Sequence, residues 1–121
     1  MNDPTAALAD AKEISMTTCR ILVQEGQISP DQRADLEAKL TDFSATKLGS
    51  PAKVQWREIA SGSGYTATKP STTSVVVLTG DTPLDQPVRV ALLHELVDFW
   101  TRGAGCSIDE ITAVIGDPVP A

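Results

Sequence analysis

One stretch limits the fold more than any other: residues 26–51, GQISPDQRADLEAKLTDFSATKLGSP. Ser29 is a natural helix N-cap, Pro30 suits the first helical position, and Gln32 completes a capping box. Leu36, Leu40 and Phe43, followed by Lys47 or Leu48, recur at helical spacing, so one face is apolar. Gly49 supplies a left-handed residue to end the helix, and Pro51 prevents it from resuming. Apolar strands flank the helix at residues 19–23 (CRILV) and 54–59 (VQWREI). The unit is strand, helix, strand, and a helical crossover of this length is what two parallel strands require.

The second half repeats the pattern. Residues 74–78 (SVVVL) form a third strand, and residues 80–86 turn. Asp85 or Gln86 caps a second helix, with Pro87 tolerated in its first turn, and the helix runs to about Arg102. Val88, Leu92, Leu96 and Phe99 form its stripe, widened by Leu93, Val97 and Trp100. Gly103 and Gly105 end it, and residues 108–115 supply a fourth strand. Ile21-Leu22-Val23 fall on Val75-Val76-Val77, Gly26 on Gly80 and Asp31-Gln32 on Asp85-Gln86, 54 residues apart. Leu36, Leu40, Phe43 and Gly49 fall on Leu92, Leu96, Phe99 and Gly105, 56 apart. The expected fold is therefore α+β: a tandem β-α-β repeat whose four-stranded sheet carries both helices on one face. The other sheet face lacks its own cover, is expected to carry Trp56, and is most simply buried against sister chains.

The 121 residues suit a single domain. We divide them into an N-terminal extension, 1–15, and a domain, 16–118, built from units 16–60 and 74–118 joined by a loop, 61–73. The extension has good helix propensity, and Met16 is a plausible alternative start. Aromatic residues are only 4%, so the core must come from Leu, Ile, Val and Ala. A net charge of −6 with no basic stripe argues against nucleic-acid and anionic-membrane partners, though one or two local arginines suffice for a small anion. No run approaches the roughly 18 apolar residues of a membrane span. No basic n-region marks a signal peptide, and Cys19 and Cys106 read as reduced thiols, so a cytoplasmic protein is expected. The glycine-rich loop 61–73 lacks GxxxxGK[ST] and a strand-loop-helix frame, which excludes a phosphate loop.

Taken in order, Gly26, Ile28, Ser29, Gln32, Arg33, Leu36, Leu40, Thr41, Asp42, Gly49 and Pro51 resemble the motif string of the tautomerase superfamily. The likeness spans about residues 16–118 and is nearest to the two-unit branch of cis-3-chloroacrylic acid dehalogenase. It implies a homotrimer with sheets facing a central barrel and a reaction run by an N-terminal proline, helped by arginines that hold a substrate carboxylate. Three expected features are absent. Thr17 stands where the proline belongs, Ser44 stands where the branch has a histidine, and residues 79–82 hold no arginine where it has R-x-G-R. Together these losses point to a homologue without standard tautomerase activity that binds a small carboxylic acid.

Residue chemistry gives the same reading. Within a longer chain residue 17 contributes only an amide, which is no base near neutrality. A chain beginning at Thr17 would have an α-amine with a pKa of about 7.7–8.0, able to act as a base or form an imine in an isomerase, hydratase or lyase. Arg57, beside Trp56, is the best candidate anion-holding group, against a salt bridge to Glu58 or a neighbouring subunit. Tyr65 and Lys69 sit in the long loop, where they lid a cleft or are simply solvated. His94, the only histidine, reads as a partly buried helical residue; no metal or other cofactor is expected. Cys19 reads as a buried strand thiol rather than a nucleophile. A third reading is a trimer with a structural or interaction role only.

Overall fold

The computed structural model describes residues 16–66 and 68–118, so the 1–15 extension lies outside the described residues. β1 (Thr17–Gln24), α1 (Pro30–Lys47) and β2 (Ala52–Ile59) form the first unit. A small hairpin, β3 (Tyr65–Thr66) and β4 (Lys69–Pro70), leads to β5 (Ser74–Thr79), α2 (Gln86–Ala104), a 3-10 turn (Ile108–Glu110) and β6 (Ile111–Gly116). The main sheet has the order β2-β1-β5-β6. Each unit pairs its own strands in parallel, and the units join through the antiparallel central pair β1–β5. This is the expected tandem β-α-β architecture.

Local chemistry sets the helix boundaries. The Ser29 hydroxyl accepts from the Gln32 amide at 3.1 Å, and Gln32 Oε1 accepts from the Ser29 amide at 2.9 Å, closing the capping box. The chain leaves α1 through Leu48 into Gly49, whose φ of +96° only glycine adopts without strain. Asp85 is the N-cap of α2, and Gly105 ends it in the left-handed conformation.

Alternation along the strands sorts side chains to the two faces of the sheet. Cys19, Ile21 and Val23 of β1, Val76 and Leu78 of β5, and Ile115 of β6 are buried beneath the helices. Leu36 and Leu40 of α1 and Leu92, Leu96 and Trp100 of α2 fill the space above them. Burying one such side chain fully stabilises the fold by about 1.5–3 kcal/mol. Phe43 and Phe99 tie the helices together, with ring centroids 5.4 Å apart.

The structure moves several sequence expectations. Val88 is 48% exposed, so the buried stripe of α2 is Leu92, Leu96 and Trp100, with Phe99 at its margin. Residues 108–110 form a 3-10 turn held by a Ser107–Glu110 capping box, and β6 starts only at Ile111. His94 is exposed rather than partly buried. Trp56 lies on the helix-covered side: it is in register with Ile21, its ring is 6.1 Å from that of Trp100, and its Nε1–H donates to Glu37 of α1 at 3.0 Å. The 56-residue spacing of the helices holds, since Leu36 and Leu40 match Leu92 and Leu96 in burial. The 54-residue spacing of the strands does not, because Ile21 and Val23 face the helices whereas Val75 and Val77 face away. An odd offset is required, as shifting a strand by one residue exchanges its faces.

Candidate functional site

The sheet face turned away from the helices holds the most distinctive surface. The parallel register sets Arg20 beside Gln55 and Leu22 beside Arg57, and the antiparallel register sets Arg20 beside Val77 and Leu22 beside Val75. Arg20 and Arg57 are therefore diagonal neighbours on one face, within reach of a common ligand for side chains of that length. With Gln55 and the three aliphatic residues they line a concavity of about 540 Å³. The described residues offer neither arginine an ion-pair partner. Glu58, the neighbour in sequence of Arg57, points to the other face, where it pairs with Arg33 at 2.5 Å; Arg33 also lies over the Trp56 ring at 4.8 Å. Two exposed guanidinium groups beside an amide, over an apolar floor, can hold a compact carboxylate by forked hydrogen bonds.

Thr17 begins β1 and is fully buried. Its N–H donates to Ser50 Oγ at 2.8 Å, and its hydroxyl lies 2.9 Å from the same oxygen. With Met16 before it, this nitrogen is a peptide amide and serves as a donor. Nearby, the Asp81 carboxylate lies against the Cα of Gly49, so a Cβ there would collide with it. Asp81 Oδ1 is buried with no hydrogen-bond partner among the described residues.

Within one protomer the sequence-predicted site residues do not converge. Arg57 is in register with Leu22, five residues along β1 from Thr17, a separation of about 17 Å at strand rise. Ser44 is fully buried on the helix side, its hydroxyl donating to the Leu40 carbonyl at 2.7 Å. Tyr65 and Lys69 are exposed on the β3–β4 hairpin at the opposite end of β1 from Thr17. There Gln24 anchors the excursion, accepting from the Gly62 amide at 2.9 Å and donating to the Ser71 carbonyl at 2.7 Å. Arg20 and Gln55 were not among the expected site residues, although Arg20 could be read as entering β1 or facing a cleft; alternation along β2 sets Gln55 on the face of Arg57, and only the register joins Arg20 to them.

Burial, with Glu37 adding to it, pushes the Cys19 thiol up to about 12, so at neutral pH it is protonated and a poor nucleophile. Among the described residues no three His, Cys, Asp or Glu side chains gather as metal ligands would. No helix among them is long and apolar enough to cross a membrane.

No protein-family model matches the chain, and no curated protein does. Solved structures do. Native Ps01740 superposes with a TM-score of 0.75 at 22% identity, over 86% of this chain and 95% of that one. A fused 4-OT described as a symmetric trimer gives 0.72 at 17% identity, over 85% of each chain. N1, a member of the cis-3-chloroacrylic acid dehalogenase family, gives 0.72 at 12% identity, over 85% of this chain and 75% of that one. Likeness at these identities speaks to backbone architecture, and by that measure the chain has the tautomerase-superfamily fold that its ordered motifs and internal repeat led us to expect.

Proposed function

We propose that this protein is a self-associating binder of a small carboxylic acid, built on the tautomerase fold and lacking proline-dependent proton transfer. One observation carries the reading: at the position where the resemblance requires a basic ring nitrogen, the Thr17 nitrogen donates its proton to Ser50 Oγ at 2.8 Å. An amide nitrogen engaged as a donor neither accepts a proton nor forms an imine near neutral pH. Arg20 and Arg57, which have no ion-pair partner among the described residues, lie on the open sheet face, where they hold the acid. Tyr65 and Lys69 serve as accessory contacts if a neighbouring copy brings its hairpin to that face. A homotrimer covers the apolar part of the face, in line with the symmetric trimer described for the fused 4-OT structure. With Cys19 and Cys106 both unpaired, we place the protein in the cytoplasm.

The test is a phenylenolpyruvate tautomerase assay on chains beginning at Met1 and at Thr17, with Thr17→Pro in the shorter one. We expect no activity in either chain; a gain in the proline variant would show that an intact pocket remains around position 17. Activity in the natural short form would instead establish a working isomerase using the Thr17 amine. Calorimetric titration of the chain beginning at Met1 with succinate tests binding; no heat at millimolar ligand leaves a structural or interaction role.

A further inference from the structure

The open face is charged against the rest of the molecule. Alternation and register place Thr18, Arg20 and Leu22 of β1, Lys53, Gln55, Arg57 and Ile59 of β2, and Val75, Val77 and Thr79 of β5 on it. Thr112 and Val114 of β6 join them, in register with Val75 and Val77. Three of these side chains are cations and none is an acid, on a chain whose net charge is −6. The centre of the same face is apolar, with Leu22, Val75 and Val77 half-buried and Val114 43% exposed. Its two components oppose each other in self-association. Covering the aliphatic patch with sister chains favours assembly. Every copy added, however, brings further arginines into a shared interior of lower dielectric, where like charges repel more strongly than in water.

We infer that a compact dianion, a dicarboxylate or a phosphate, binds Arg20 and Arg57 from more than one copy and is required for tight assembly of the open faces. The site is incomplete in a single protomer, whose arginines are exposed and flank an open concavity; a second copy both closes it and doubles its charge. Binding and association are then linked: a ligand taken only by the assembled form favours assembly by mass action. The inference rests on the self-association and carboxylate binding proposed above, and it adds that the ligand controls the assembly.

The experiment is sedimentation velocity of the full chain over a protein dilution series in sodium chloride, sodium phosphate and sodium succinate at matched ionic strength. The double variant Arg20→Gln/Arg57→Gln is run beside it, and circular dichroism confirms its fold. We expect the wild-type dissociation midpoint to fall by about tenfold or more in a dianion buffer relative to chloride, an energy large enough to resolve. The double variant should assemble alike in all three salts, and as tightly as wild type does with the dianion. A response to phosphate alone, to succinate alone or to both names the ligand's source. Wild-type midpoints that coincide in all three salts overturn the linkage while leaving self-association intact, as does a dianion response that survives in the double variant. Monomers of both proteins in every buffer overturn the self-association as well. If the wild type stays assembled at every dilution, its thermal midpoint in the three salts replaces the mass, with the same outcomes.

Discussion

Cys19, Ile21 and Val23 point from β1 into a dry core, whereas Arg20 and Leu22, between them in sequence, point into an open concavity. The two sheet faces are thus made by the same strands and solve opposite problems. The covered face is filled by side chains of α1 and α2 from its own chain, and its largest residue, Trp100, has no exposed surface. Among the described residues, the open face combines half-buried aliphatic residues with arginines that have no ion-pair partner, and no helix covers it. One face stabilises the protomer, and the other is the face we propose for ligand and sister chains. A substitution should therefore act on folding or on assembly according to the parity of its position in a strand.

The sharpest way to break that division is to damage each face in turn. Leu96→Ala removes a fully buried side chain between helix and sheet. It should cost about 2–5 kcal/mol of protomer stability in urea unfolding, from lost burial and the cavity left behind. Val77→Lys adds a fourth cation to the open face. It should abolish assembly by light scattering in every salt while changing unfolding of the isolated protomer by under about 1 kcal/mol. If the second variant unfolds the protomer as severely as the first, the faces do not divide the work as argued.

Smaller changes sharpen the comparison. Ser29→Ala removes one half of the α1 capping box and should cost about 1 kcal/mol in unfolding with no effect on assembled mass. The smallest effect is expected at Asp117, whose carboxyl is held below the usual range by hydrogen bonds from Arg89 and the Leu84 amide. Because its folded-state pKa is depressed, the contribution is present above the ordinary aspartate pKa of about 3.9 and is lost as pH falls through the folded value. Asp117→Asn should therefore lower the melting temperature at neutral pH, and the gap from wild type should close below about pH 3.9. A gap that persists in acid would show that hydrogen bonding or packing, rather than charge, holds the β6 terminus.

Much of the covered face was legible in the residues. Ser29, Gln32 and Gly49 act on backbone within a turn of themselves, so the bounds of α1 followed from chemistry that requires no distant partner. The helical stripe was recognisable because Leu36, Leu40, Leu92 and Leu96 share one period. The open face was less legible. Neither side-chain set of β2 is purely apolar, so its composition did not say which set faces the helices; Arg33 and Glu37 of α1 supply the polar partners that allow Trp56 and Glu58 beneath the helix. The strand repeat was matched on the run Ile21-Leu22-Val23 against Val75-Val76-Val77, and such uniform runs contain no information on phase. Arg57 was singled out without Arg20 because Arg20 lies 37 residues away in sequence, and only strand pairing sets it beside Gln55 and diagonal to Arg57.

By itself the sequence determined the two helices, the cap of α1 and the strand-helix-strand order of each half, and hence the β-α-β architecture, because capping, helical period and crossover length act between residues close along the chain. Only the tertiary structure decided which residues share the open face, that Trp56 does not, and that Thr17, Arg57 and the hairpin are spread along one protomer. Those outcomes depend on strand register and on which partner covers which side chain. Both are settled by contacts between segments distant in sequence, and a one-residue change in either would exchange the arginines for the core.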